Sequence, residues 1–317
     1  MVNYNTPNHD FLIASNLLKD KDISNHDFML KLSNKNLSNK DPYKLEDDIE
    51  GRKQVIVECK RNRFYFFREV LKIDTPITGI ADIPFILPVI DSLFVLSLHT
   101  NKVVTIMNPR QSFKTGSVLA NTLYEFLFDD HRKNHFYIWT KDISRIENLV
   151  RYITKTFVLP DYMSDAIIVQ KNKITHRFND NTIEFVTSIN DINMNYGLWE
   201  YYTIIAEDFT YIPYFDSKKA IDNFLESKNL DRVILISNYN KESDLLRNLW
   251  VESIHWKDYM YDIDICKSVV YEKIPMLIYR SPEQYLSSNQ IEDMRKLLNH
   301  DEELIRSEMC IKPFYKE

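Results

Sequence analysis

Glycine is nearly absent. The chain holds 4 in 317 residues, where average usage of about 7% would supply roughly 22. A conventional glycine-rich phosphate loop is therefore excluded, and any anion-binding turn must be an unusual version. Cysteine is also sparse: the 3 present, Cys59, Cys266 and Cys310, show no Cys-x-x-Cys or His-Cys spacing. That excludes a disulfide framework or a zinc knuckle and fits a reducing compartment. No apolar run approaches the ~18–20 residues of a membrane span, and the polar stretch Met1 to Asp10 does not read as a signal peptide. Positive charge is not in excess either, with 40 Lys and Arg against 46 Asp and Glu, a formal charge of −6. A protein that coats nucleic acid through bulk charge is ruled out, because such binding rests on phosphate neutralisation. A local basic patch is not. What is present, 44% hydrophobic and 27% charged residues, is the composition of a folded globular chain.

The first fifty residues are polar, with repeated Ser-Asn-Lys turns, and read as a helical and looped extension. Asp41 to Ile73 has a helical pattern, with Phe64, Phe67 and Leu71 on one face to pack it onto a core. Lys60, Arg61, Arg63 and Arg68 form a basic cluster there, read as an exposed helix face, with a phosphate contact as the alternative. After a linker around Pro76 to Pro88, strand and helix signals alternate. Lys102–Met107 is a β-branched run, Lys114–Phe128 has helical spacing, His135–Trp139 reads as a strand and Asp142–Phe157 as a helix. Lys173–Phe178 and Thr182–Val186 flank Asn179-Asp180-Asn181 as a hairpin. Tyr202–Ala206 and Arg232–Ile236 are two more apolar strands, and the chain after Tyr239 reads as mainly helical. Alternation of this kind implies an α/β fold with a mostly parallel sheet flanked by helices.

Chemistry concentrates at three strand ends. Val103-Val-Thr-Ile-Met-Asn-Pro-Arg-Gln-Ser-Phe-Lys-Thr-Gly116 is a strand, a tight loop and Lys-Thr opening a helix. That geometry presents backbone N–H groups and a helix N-terminus to a polyphosphate, with Lys114 bridging phosphates and the Thr115 hydroxyl on Mg²⁺. Arg110, four residues before Lys114, is placed to meet charge on the leaving oxygens. Phe113 stands where glycine is usual. If φ there is positive the bulky residue costs about 1–2 kcal/mol; if right-handed, it is tolerated. Tyr202-Thr-Ile-Ile-Ala-Glu-Asp208 ends in two acids, at the edge where open α/β sheets bind ligands. One acid suits a metal shell and the next an attacking water, although acids after a strand also begin ordinary solvated turns. Arg232-Val-Ile-Leu-Ile-Ser-Asn238 ends in two small polar residues able to sense a phosphate. Trp139-Thr140-Lys141 reads as a solvated strand end, with contact to DNA or a relay of motion as the alternative.

These motifs, in this order and spacing, resemble the large terminase subunit, the DNA-packaging motor of tailed bacteriophages, T4-like and jumbo phages in particular. The similarity runs from about Arg61 to about Asn240. Asn62-Arg-Phe-Tyr-Phe-Phe-Arg-Glu-Val70, Gly79 and Pro84-Phe85 resemble the segment before the motor core. Pro109-Arg-Gln-Ser-Phe-Lys-Thr115 is similar to the family's variant Walker A, Ile204-Ile-Ala-Glu-Asp-Phe-Thr-Tyr-Ile-Pro213 to its Walker B, and Ile236-Ser-Asn-Tyr-Asn240 to its coupling motif. The chain departs from the pattern at Phe113, in the Glu207-Asp208 order where Asp then Glu is usual, and at Asn195-Tyr-Gly197, where an Arg-Gly is usual.

The resemblance implies an additional-strand P-loop ATPase. Residues 1–50 would be an extension, 51–240 the ATPase core and 241–317 a small helical lid or linker, with no nuclease domain. Gln111, Ser112, Phe113, Lys114, Thr115 and Gly116 would hold ATP, Thr115 and Glu207 the Mg²⁺. Asp208, Glu207 and Arg110 would be catalytic, and Ser237 and Asn238 would couple hydrolysis to movement. The expected partners are double-stranded DNA, the procapsid portal, the small terminase subunit and further copies in a ring, in the host cytoplasm and transiently on a procapsid. A non-hydrolysing docking module and a helicase-type ATPase are the alternatives.

Overall fold

A computed structural model describes residues 32, 34–76, 79–82, 102–108, 113–192, 200–216, 218–255, 276–279 and 288–309. Among them the strands are β1 (Lys72–Thr75), β2 (Gly79–Asp82), β3 (Val103–Met107), β4 (Lys133–Trp139), β5 (Phe157–Val158) and β6 (Ile167–Val169), then β7 (Lys173–His176), β8 (Thr182–Val186), β9 (Glu200–Glu207), β10 (Leu230–Ser237), β11 (Ile254–His255) and β12 (Met276–Tyr279). The longer helices are α1 (Ile49–Arg61), α2 (Lys114–Phe128), α3 (Ile143–Arg151), α4 (Lys218–Leu225), α5 (Asp244–Glu252), α6 (Ser288–Leu297) and α7 (Glu302–Met309). The chain forms two units interleaved along the sequence, one of Met1–Leu96, Ser117–His135 and Ile146–Glu184, the other of Ser97–Gly116, Phe136–Arg145 and Phe185–Glu317.

In the first unit, Asp48 caps α1 by accepting from the Gly51 N–H at 2.7 Å. The helical pattern expected through Ile73 is interrupted at Asn62, which is fully buried and whose side chain accepts from the Tyr65 N–H at 3.0 Å. A π-wound turn over Phe66–Val70 follows. The wider turn brings Phe66 as well as Phe67 and Leu71 into the interior, where Phe66 and Phe67 pack on Tyr124 and Phe128 of α2. The Phe64 side chain lies outside the described residues. The basic cluster is not an open phosphate face: the Arg63 guanidinium lies 4.4 Å from the Tyr124 ring centroid and donates to Asn121 at 2.9 Å, while Lys60 pairs with Asp130 at 2.5 Å. β2, β1 and β5 form a small antiparallel sheet. β7 and β8 form the expected antiparallel hairpin, extended by β6. Asp180 takes φ of 59° in its turn, a conformation Asp tolerates better than most residues. The Asn181 amide donates to the carbonyls of Phe126 at 3.1 Å and Asp129 at 2.7 Å, fastening the hairpin to the end of α2. The helix expected over Asp142–Phe157 is regular through Arg151, closes with a π-wound turn and gives way to β5.

The strands of the second unit follow the order β11-β12-β3-β10-β9, with the Phe136–Trp139 end of β4 beside β9. Its pairs β11/β12, β12/β3, β3/β10 and β10/β9 are parallel. β3 is buried at every residue, which is why it reads as an unbroken β-branched run: a parallel strand covered on both faces has no solvent side to alternate with. One core gathers β3, β9, β10 and the end of β4 with Phe209, Phe215, Phe224 and the α5 leucines. The segment after Tyr239 was expected to be mainly helical. It supplies α5, α6 and α7, and also two strands: β11 and β12 extend the sheet beyond β3.

Candidate functional site

Three neighbouring parallel strands end together. Ser237 at the end of β10 is level with Met107 at the end of β3, and Ile236 is level with Glu207 at the end of β9. Parallel register thus brings residues 130 or fewer positions apart in sequence to one carboxyl edge, where an open α/β sheet offers its ligand crevice. The side chains that meet there all belong to the second unit.

β3 is followed by Asn108, fully buried. Pro109, Arg110, Gln111 and Ser112 lie outside the described residues. Phe113 re-enters with φ of 60°, so of the two conformations open to it the chain adopts the left-handed one, where glycine would be unstrained. Lys114, 8% exposed as a residue, then opens α2, and its ammonium donates to Asn238 Oδ1 at 2.5 Å. The Thr115 hydroxyl donates to Glu207 Oε1 at 3.2 Å. Gly116 is buried in the first turn. Glu207 is 2% exposed, a position where an ionised carboxylate needs strong partners. It has them: Arg145 Nε donates to Oε2 at 2.8 Å, and Arg145 Nη2 donates to Oε1. The bidentate hydrogen bond to Glu207 is the main cause that pushes the Arg145 pKa up, with the charge of Asp208 adding to it. Asp208 itself turns the chain out of β9 with φ of 51°. Thr210, in the turn just beyond, shares a hydrogen bond of 2.9 Å with buried Ser237, tying the acid-bearing turn to the end of β10.

The structure therefore brings together Lys114, Thr115, Glu207 and Asn238 by direct contact, with Asp208 and Ser237 beside them. Arg145 and Thr210 escaped the sequence reading. Arg145 left a signal: a cation in a helix's first turn opposes the macrodipole, and such a placement implies a specific anion nearby. Chemically, the head of α2 offers N–H groups, an ammonium and a hydroxyl to a polyanion. Thr115 Oγ1 and Glu207 Oε1 are two hard oxygens side by side. Among the described residues no group of three or more His, Cys, Asp or Glu is disposed to hold a metal ion. That donor set suits Mg²⁺, which takes one or two protein oxygens and completes its shell from phosphate and water.

The Phe113 conformation has a measurable cost. Phe113→Ala keeps the left-handed penalty of about 1–2 kcal/mol. Phe113→Gly removes it against a backbone entropy loss of roughly 0.5–1 kcal/mol. In paired denaturant titrations the glycine variant is expected to be the more stable of the two by about 0.5–1 kcal/mol; equal stability would place Phe113 outside the left-handed region.

The large terminase of bacteriophage HK97 is similar over 80% of this chain and 53% of its own, at 13% identity and a TM-score of 0.51. The likeness is one of fold: a mostly parallel sheet flanked by helices. It spans about half the length of that terminase. An ATPase-domain mutant of the large terminase of Thermus phage P74-26 is similar over 78% of this chain and 96% of its own, at 12% identity and a TM-score of 0.49. No family model and no curated protein matches the sequence.

Proposed function

We propose that this chain is the ATPase part of a phage large terminase, hydrolysing ATP to drive double-stranded DNA into a procapsid. One observation carries the reading: the Thr115 hydroxyl, one residue past the lysine that opens α2, touches the buried acid that ends β9. A phosphate loop and its metal acid require that juxtaposition, and an ordinary strand–helix turn does not.

On this reading Lys114 meets the β- and γ-phosphates, while the backbone from Gln111 to Gly116 cradles them. Thr115 and Glu207 hold Mg²⁺, which when bound neutralises charge developing on the phosphate oxygens. Asp208 orients the attacking water and receives its proton. Arg110 supplies positive charge to the leaving oxygens. Asn238, already on the Lys114 ammonium, feels whether a phosphate draws that lysine away. Ser237 passes the change to Thr210 and the turn after β9, the kind of local rearrangement that moves an attached segment. Residues 51–240 are proposed as the motor core and 241–317 as its lid or linker. The partners follow from the same reading: DNA, the portal, the small terminase subunit and sister copies in a ring, in the host cytoplasm and on the procapsid. The T4-like affiliation rests on the motifs around Arg110-Gln111 and Phe209–Pro213.

The test is phosphate release from ATP, together with binding of a fluorescent ADP, by the purified chain. Saturable binding with magnesium-dependent turnover is expected. Binding without turnover would make the chain a docking module instead, and neither would reject the nucleotide reading altogether.

A further inference from the structure

Glu207 is held by two groups at once, and they share an atom. Oε1 accepts from the Thr115 hydroxyl and from Arg145 Nη2, while Oε2 takes Arg145 Nε. The Arg145 guanidinium therefore covers the very oxygen that stands beside Thr115. Under the proposed function that oxygen belongs to the metal, at a bond length of about 2.1 Å. A divalent ion and a guanidinium on one carboxylate oxygen sit within about 4 Å of each other and repel, more strongly in partly buried surroundings than in water.

We propose that Arg145 is a positioning residue that competes with divalent metal for Glu207, aligning the carboxylate with Thr115 and yielding it when metal enters. The two partners differ in freedom. Glu207 is fixed at the end of a central strand and 2% exposed. Arg145 keeps 43% of its side chain exposed on the first turn of α3, on a long flexible stem and at the helix end where the dipole disfavours a cation. The carboxylate stays and the guanidinium moves. A static ion pair would predict only that losing Arg145 destabilises the fold. Competition predicts in addition that the loss makes metal easier to bind, because linkage between two ligands of one site is reciprocal.

This inference rests on the metal role of Glu207, and the experiment separates the two. Magnesium is titrated against a fixed concentration of fluorescent ADP for wild type and Arg145→Ala. Thermal melting in EDTA and in MgCl₂ alone is run in parallel. Arg145→Ala is expected to melt lower in EDTA, to gain more from MgCl₂ than wild type does, and to reach half-maximal binding at roughly tenfold less magnesium. Arg145→Lys, which keeps the charge but not the bidentate fork, should shift the same way by less, and it stands in if the alanine variant does not fold. An unchanged or raised magnesium requirement overturns the proposal. If wild type binds no nucleotide, the function reading fails, and melting in MgCl₂ alone still decides on Arg145: an equal gain for both proteins overturns it.

Discussion

Replacing Lys114 by alanine is expected to lower ATP turnover roughly 10²- to 10³-fold, the effect typical of removing one preorganised donor aimed at developing charge. Lys114 occupies the first turn of α2 as a buried residue, its ammonium 2.5 Å from Asn238 Oδ1. It is therefore held at the helix N-terminus before any substrate arrives, and its positioning entropy is not spent during the reaction. The substitution also leaves the Asn238 amide without that donor, worth about 1 kcal/mol of stability. Asn238→Ala is the control. It removes the same hydrogen bond but keeps the ammonium, so it should share the stability loss and retain most of the turnover. If Lys114→Ala hydrolyses ATP at the wild-type rate while folded, the phosphate-loop reading of residues 111–116 is wrong. If both variants lose activity equally, Asn238 is needed to position the lysine and not merely to report on it.

How much of this was legible in sequence depends on the range of the interaction involved. β3, β9 and β10 could be read because central parallel strands are buried on both faces and leave uninterrupted apolar runs. The hairpin around Asn179–Asn181 could be read because its turn chemistry is local. Glu207 stood out because an acid closing an apolar strand breaks the pattern abruptly. The break at Asn62 was harder to see. Its neighbours keep helical spacing across it, and only the buried side chain of Asn62 capping Tyr65 reveals that one helix stops and another turn begins. β11 and β12 are two and four residues long, too short for periodicity to register. The Arg145–Glu207 pair spans 62 positions and depends on where β4 delivers α3 relative to β9, which is a property of strand order. Phe113 is intermediate: the sequence showed that glycine was missing, but only the backbone shows that the conformation glycine normally serves has been kept.

Trp139→Ala is expected to cost about 3–5 kcal/mol of stability, against less than about 1.5 kcal/mol for Trp139→Phe. Read as a solvated strand end in the sequence, Trp139 is instead 2% exposed at the end of β4. Its ring lies 5.1 Å from Tyr214, 5.2 Å from Phe215 and 6.5 Å from Phe224, centroid to centroid. Alanine would leave a cavity walled by three aromatic rings that cannot collapse together, because each is fixed by other contacts of the same core. Phenylalanine keeps most of the volume and removes an indole N–H that is buried without a hydrogen-bond partner; losing that desolvated donor offsets part of the lost packing. The position also bears on the site. The chain passes from Trp139 through Thr140, whose N–H is fixed on the Val186 carbonyl at 3.1 Å, and reaches Arg145 five residues later. A loosened strand end would therefore let the guanidinium drift from Glu207. Chemical denaturation gives the stability order, and the magnesium requirement for ADP binding gives the second effect. Trp139→Ala should lower that requirement in the same direction as Arg145→Ala, whereas Trp139→Phe should leave it where it was. A destabilised Trp139→Ala protein with an unaltered requirement would show that α3 is anchored by something other than this aromatic cluster.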